Sequence, residues 1–309
     1  MRLKNLTKRI IRKISFLNLK KRNLKLKKLY DFLSISKINI FDIGAGQRIL
    51  PEIINFDGIS RVNLIDPNKN LEYSYNQLKK YFLDHNNIHK FNLGISDRTK
   101  SLPYYEGKIS TGSSFALNNR EFKKYNKKYF KPKKLKVYNF KDFLKLKNLS
   151  KPDIIKIDVE GLEFKVLKSI LTYSDPFLIQ IETNINNPIF SESFYKINEL
   201  LIKKGYSLYT LYPSYGYFDK DKNQMVIDNK INLNDIEINF KKNYLLQAEC
   251  YYLKEIKKYN IKHYLILLGF GLVCRFKEKL KGDSNIKLSK KKILNKIFKI
   301  INWYIQIFE

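Results

Sequence analysis

Cysteine is nearly absent from this chain: Cys250 and Cys274 are the two in 309 residues. Such a pair offers neither a disulfide framework nor metal-ligand spacing, which fits a reducing compartment. Histidine is as scarce, and His85, His89 and His263 show no helical zinc spacing with an acid between them, so surface or loop positions are expected for all three. Long apolar runs are missing too. The longest, residues 264–274, is broken by two glycines and falls well short of the ~18 residues that a bilayer span requires, so no transmembrane helix is expected. The first residues, Met1-Arg-Leu-Lys-Asn-Leu-Thr-Lys-Arg-Ile, carry charge without the apolar centre of a signal peptide, and the expected location is the cytoplasm. Acidic residues are in deficit, 29 against 60 Lys and Arg, for a formal charge of +31. A nucleic-acid partner comes to mind, but Lys far outnumbers Arg and rises together with Asn and Ile, the pattern of a compositional bias. A solvated lysine-rich surface therefore outweighs a nucleic-acid footprint.

What is present is an alternation of β-branched runs with helical patterns over residues 38–212, the signature of a doubly wound, mostly parallel α/β sheet. Strands are expected at 38–43, 61–65, 89–95, 153–158, 177–182, 206–211 and 243–253. Helices are expected at 71–83, 162–171 and 194–204, with Gly205 as a C-cap. Between the third and fourth strands lies an insertion, expected to be partly a loop, that holds Thr111-Gly-Ser-Ser-Phe and a Lys/Tyr-rich run over 120–134. There is no internal repeat. Three segments are expected: a basic amphipathic extension at 1–30, an α/β domain at 31–256 and a basic amphipathic helical extension at 257–309. In the last, Ile293, Leu294, Ile297, Phe298, Ile301, Tyr304, Ile305 and Phe308 recur at helical spacing among lysines. Packing on the core or on a second subunit is the preferred reading of these ends. Peripheral contact of 1–30 and 288–309 with an anionic membrane, at its inner face, is the alternative.

The chemistry concentrates at strand ends. Asp153-Ile-Ile-Lys-Ile-Asp-Val-Glu-Gly-Leu-Glu-Phe-Lys-Val-Leu changes from strand to helix near Gly161 and places Lys156, Asp158 and Glu160 on one strand face. Glu163 reads as a first-turn helix acid. If the fourth and fifth strands are parallel neighbours, Lys156 and Asp158 face Gln180 and Glu182. Phe41-Asp-Ile-Gly-Ala-Gly closes the first strand, but Gln47, Arg48 and Ile49 follow Gly46, so the third glycine of a dinucleotide fingerprint is missing. Asp42 would repel a diphosphate, yet it suits the ammonium of an amino-acid moiety, directly or through water, which points to S-adenosylmethionine. Gly44, Ala45 and Gly46 would let backbone approach that cofactor, Asp66 would accept from both ribose hydroxyls, and Asp97 would meet the adenine amino group or else cap a turn. No Asn/Asp-Pro-Pro-aromatic segment follows the fourth strand, which disfavours adenine N-methylation, and neither cysteine lies near a strand end.

These motifs carry a resemblance. Asp42-Ile-Gly-Ala-Gly, Ile65-Asp-Pro, Asn92-Leu-Gly-Ile-Ser-Asp, Gly112-Ser-Ser-Phe, Ile155-Lys-Ile-Asp-Val-Glu-Gly-Leu-Glu-Phe-Lys-Val-Leu and Ile181-Glu resemble the FkbM family of S-adenosylmethionine-dependent methyltransferases over roughly residues 38–255. The family commonly has Glu-Pro at Asp66-Pro67 and often glycine at Arg48. The resemblance implies a seven-stranded class I methyltransferase fold and O-methylation of a sugar or other hydroxyl in glycan, lipid or natural-product pathways. In that reaction Asp158 or Glu160 acts as base or orients the acceptor hydroxyl, with Lys156 and Glu182 setting their charge. A divalent cation held by Asp158, Glu182 and Asn184 is the weaker variant. An RNA methyltransferase, or a catalytically degenerate membrane or assembly protein, is the alternative to a small-molecule, glycan or lipid-linked acceptor.

Overall fold

The structure, a computed structural model, describes residues 36–46, 51–68, 70–82, 84–107, 130–159, 161–185, 193–219, 224–227, 244–256 and 260–270. Expectations that fall on residues 1–30, 111–115 and 288–309, on Arg48 and on Glu160 lie outside these. The chain divides into two compact units, Met1–Glu255 and Ile256–Glu309.

In the first unit, Ile, Val and Leu runs form β1 (Ile38–Ile43), β2 (Ser60–Ile65), β3 (Ile88–Phe91), β7 (Ile154–Ile157) and β8 (Leu178–Asn184). All four residues of β7 are buried, as a strand covered on both faces requires. With β9 (Tyr206–Asp219), β10 (Gln224–Ile227) and β11 (Tyr244–Lys254) they make an eight-stranded sheet in the order β10-β9-β11-β8-β7-β1-β2-β3. The β1–β2, β1–β7, β2–β3 and β7–β8 pairs are parallel, while β11 runs antiparallel between β8 and β9. This is the class I arrangement, with β10 added as a hairpin return on β9. The seven expected strands are present, and β9 continues past residue 211 to Asp219, where β10 pairs with it as an eighth.

The period of two sorts the sheet's faces. Phe41, Ile43, Ile155, Ile157, Ile179 and Ile181 join one core with Phe140 and Phe143 of α2 (Phe140–Leu146) and Val166, Leu167 and Ile170 of α3 (Glu163–Tyr173). Ile197 and Leu201 of α4 (Phe194–Lys203) belong to it as well. Each such fully buried side chain is worth about 1.5–3 kcal/mol. The intervening residues Asp42, Lys156 and Gln180 point to the other face. α3 begins as the sequence suggests: Gly161 adopts φ +107°, and both Glu163 carboxylate oxygens accept from its N–H, at 2.9 and 3.1 Å. Gly205 ends α4 at φ +76°. α1 (Leu71–Tyr81) follows β2.

The third strand departs from expectation. Instead of running 89–95, it stops at Phe91, where Asn92 Nδ2 donates to the carbonyls of Asp66 (3.1 Å) and Asn68 (3.2 Å) and turns the chain. β4 (Gly94–Ser96) then leaves for a second sheet, β4-β6-β5, with β5 (Lys100–Gly107) and β6 (Phe130–Asn139). The described parts of the insertion, 100–107 and 130–139, form an antiparallel ribbon, and the segment expected to be partly a loop, 108–129, lies outside the described residues. In the second unit, α5 (Ile261–Gly269) opens with a reciprocal cap: Asn260 Oδ1 accepts from His263 N and His263 Nδ1 from Asn260 N. No helix among the described residues is long and apolar enough to cross a membrane.

Candidate active site

The carboxyl ends of β1, β2 and β7 converge on one turn. Gly44 N and Ala45 N donate to Ile65 O (2.8 and 3.2 Å), and Asp158 N donates to Ile43 O (2.9 Å), so the turn after β1 is bound to both neighbouring strands. Gly44 has φ +88°, and a Cβ there would lie 1.6 Å from the Asp158 carbonyl oxygen. The glycine expected to admit a ligand is required first by the protein's own backbone. Gly46 stands beside Asp66, whose Oδ2 would be 3.5 Å from an added Cβ, and its carbonyl accepts from Ser74 Oγ at 2.6 Å.

Asp66 follows β2 and is 8% exposed. Its Oδ1 accepts from Asn68 N at 2.6 Å. Burial pushes its pKa up to about 6, against the pull of the Asn68 N–H, the Lys156 charge and the Gly46 N–H. A buried acceptor beside a glycine turn suits a donor-rich ligand such as a ribose diol. Before a ligand binds, the folded protein holds the Asp66 proton more tightly than the unfolded chain does. Its contribution to stability is therefore greatest below the ordinary 3.8 and is lost as pH rises through about 6.

Lys156 is the centre of the charged set. Register places it opposite Asp42 on one side and Gln180 on the other. Its Nζ lies 3.2 Å from Asp42 Oδ1 and 3.2 Å from Asp158 Oδ2. Burial alone would drive its proton off, but the Asp42 and Asp158 carboxylates outweigh burial and hold its pKa well above the usual lysine value. Lys156 is thus a fixed cation, unsuited to act as a base. Asp42 is fully buried and spends its charge on this internal ammonium, a partner that spacing along the chain did not reveal. Asp158, just past β7, has a side chain 34% exposed and is the member of the set that reaches solvent.

Glu182 lies one step further along β8, paired in register with Glu249 of β11. Asn184 is buried at the end of β8. Among the described residues no group of three or more His, Cys, Asp or Glu could hold a metal ion. Asp97 sits in the turn after β4 of the small sheet, bonded by Ser96 Oγ (3.0 Å) and Lys100 Nζ (3.3 Å) with Arg98 Nε at 3.5 Å. Burial pushes its carboxyl up, but the Ser96 and Lys100 bonds together hold it below the usual range. The structure therefore joins Asp42, Lys156 and Asp158 directly, with Asp66 close enough to feel Lys156 and Asp158, while Asp97 belongs to a local turn. Asn68 and Asn92, which hold the loop after β2 in place, and Ser74, which bonds the turn after β1, were not read as site residues. Their signal, short polar side chains just past strand ends, is common to many turns.

Residues 42–208 match the methyltransferase FkbM domain. No curated protein matches the chain. Solved structures similar to it include a precorrin-6y C5,15-methyltransferase from Geobacter metallireducens (13% identity, 74% of this chain and 85% of that one, TM-score 0.36). Others are a precorrin 8w decarboxylase from Methanobacterium thermoautotrophicum (13%, 72% and 83%, TM-score 0.35) and the StiE O-MT, residues 961–1257 (10%, 76% and 74%, TM-score 0.36). These likenesses are distant, and the domain match carries the family.

Proposed function

Because the chain belongs to the FkbM methyltransferase family, and so uses S-adenosylmethionine, we propose that it transfers the methyl group to oxygen, on a hydroxyl of a sugar, glycan, lipid-linked or natural-product acceptor. The observation that carries this reading is Asp158: a carboxylate at the open end of β7, held beside a lysine that cannot give up its proton. When bound, S-adenosylmethionine supplies an electrophilic methyl carbon on a sulfonium. The chain's own residues do the rest. In the turn of Gly44, Ala45 and Gly46, Gly46 would give the cofactor a side-chain-free approach beside Asp66, which would accept from the ribose hydroxyls. Asp158 accepts the proton of the acceptor hydroxyl as the oxygen attacks, and Lys156 keeps that carboxylate oriented. A nucleic-acid acceptor is the weaker reading, because Glu182 and Glu249 on the same face would repel a polyphosphate.

The test is labelled methyl transfer into hydroxyl acceptors by the wild type and Asp158→Asn. The substitution is expected to lower kcat about a hundredfold while the S-adenosylmethionine Kd is unchanged. Undiminished turnover would remove Asp158 from the chemistry. Asp66 adds a pH prediction. Since the ribose hydroxyls prefer its charged form, affinity for S-adenosylmethionine should be level above neutrality and fall by up to about tenfold per pH unit below its pKa near 6. Calorimetry across pH 5–8 measures this, and Asp66→Asn should flatten the profile.

A further inference from the structure

One part of the polar sheet face is not used by this chemistry. Gln180 is 3% exposed, and its Nε2 donates to Glu249 Oε2 at 3.2 Å, which leaves its Oε1 buried with no hydrogen-bond partner among the described residues. Glu52, on the 3-10 turn Pro51–Phe56 after β1, is half-buried, and its Oε2 is buried with no hydrogen-bond partner among the described residues. Burial, and after it the charge of Glu249, push the Glu52 carboxyl up. Tyr251, paired in register with Gln180, lies within the field of both Glu52 and Glu249. Tyr212, 57% exposed, packs edge-on against it at 5.6 Å. Glu249 is exposed, so the cluster opens to solvent at the same end of the sheet as Asp158.

These groups share one deficiency. Gln180 Oε1, Glu52 Oε2 and the Glu249 carboxylate are all acceptors, and no lysine or arginine among the described residues pairs with either glutamate, in a chain of net charge +31. Buried acceptors without donors, Gln180 Oε1 and Glu52 Oε2, are costly, and the exposed Glu249 carboxylate stands beside Gln180 without a cation among the described residues. A ligand that serves the two buried acceptors and the Glu249 carboxylate must bring several hydrogen-bond donors and a positive charge. An ammonium does both, and its three N–H donors match the three acceptors. The exposed ring of Tyr212 adds an aromatic surface that attracts a cation.

We propose that Glu52, Gln180 and Glu249 form an acceptor subsite for a protonated amino group, so that the hydroxyl methylated beside Asp158 belongs to an aminated acceptor. This rests on the O-methyltransferase reading above. The geometry is compatible with a single ring-sized molecule: Lys156, which bonds Asp158, is the in-register neighbour of Gln180, and adjacent strands lie about 4.8 Å apart. An amine and a hydroxyl a few bonds apart span such an interval.

The probes are glucosamine, N-acetylglucosamine and glucose, titrated by calorimetry into the full chain saturated with S-adenosylhomocysteine. Glucosamine is expected to bind about tenfold more tightly than the other two, and Glu249→Gln and Glu52→Gln should each remove most of that preference. Both variants should leave the S-adenosylmethionine Kd within about twofold of wild type, and Glu52→Gln, which keeps the side chain's size and removes a carboxylate that burial disfavours, should melt no lower than wild type. Equal affinity for the three probes, no binding of glucosamine, or a preference that survives both substitutions would overturn the subsite. Methyl transfer to a neutral hydroxyl acceptor alongside any of those results would leave the enzyme reading standing. Failure of the chain to bind S-adenosylmethionine would strike that reading instead.

Discussion

Replacing Lys156 with Met is expected to destabilise the protein by about 3–5 kcal/mol, the size seen when one partner of a buried charge pair is removed and the other is left uncompensated. Asp42 is fully buried 3.2 Å from the Lys156 ammonium, so it has no route to water when that charge goes. Asp158 loses the same partner but is a third exposed, and it suffers less. The asymmetry makes a specific forecast for the double variant. Asp42→Asn with Lys156→Met should recover a substantial part of the loss, because the buried negative charge disappears with its counter-ion. Urea midpoints of the wild type, the two single variants and the double variant measure this coupling. A Lys156→Met protein within about 1 kcal/mol of wild type would refute it. The effect should be level across the neutral range. A lysine whose folded pKa is raised contributes fully below the ordinary 10.5 and loses its contribution only in strong alkali.

Gly44→Ala should be more damaging still, beyond about 4 kcal/mol, because two independent mechanisms act at one atom. The backbone sits at φ +88°, where an L side chain is strained, and the new methyl group would overlap the Asp158 carbonyl, 1.6 Å away. Neither can be relieved locally: Gly44 N is bonded to Ile65 O, and Asp158 N to Ile43 O. Relief would require β1 and β7 to part at the end that carries Asp42, Lys156 and Asp158. Gly46→Ala is the contrast. Its nearest neighbour would be Asp66 Oδ2 at 3.5 Å, ordinary contact, so that variant should fold and cost about 1 kcal/mol or less. Circular dichroism and soluble yield of the two variants provide the comparison, and a well-folded Gly44→Ala protein would contradict the packing described.

The strand-to-helix change at Gly161, the ends of β1 and the starts of α1 and α4 were legible because they are encoded locally. Period-two β-branched residues, helical apolar spacing and glycine at a chain reversal each act within a few residues. The third strand was misread for the same reason. His89 to Ile95 looks like one run, and what interrupts it is an Asn92 side chain bonded to carbonyls 24 and 26 residues away. The sixth strand, expected at 206–211, was cut short because β9 beyond residue 211 is defined by its pairing with β11 and β10.

By itself, then, the sequence determined the family, the α/β class and the strand-end positions of Asp42, Asp66 and Asp158, since composition, periodicity and short motifs are properties of neighbouring residues. The tertiary structure alone decided partnership. Parallel register brings Asp42 and Lys156, 114 residues apart, to 3.2 Å and makes Gly44 a neighbour of the Asp158 carbonyl, and the antiparallel pairing of β8 with β11 sets Gln180 beside Glu249. Charge and hydrogen bonding act through space over a few ångströms, and which residues come that close is set by the sheet's strand order.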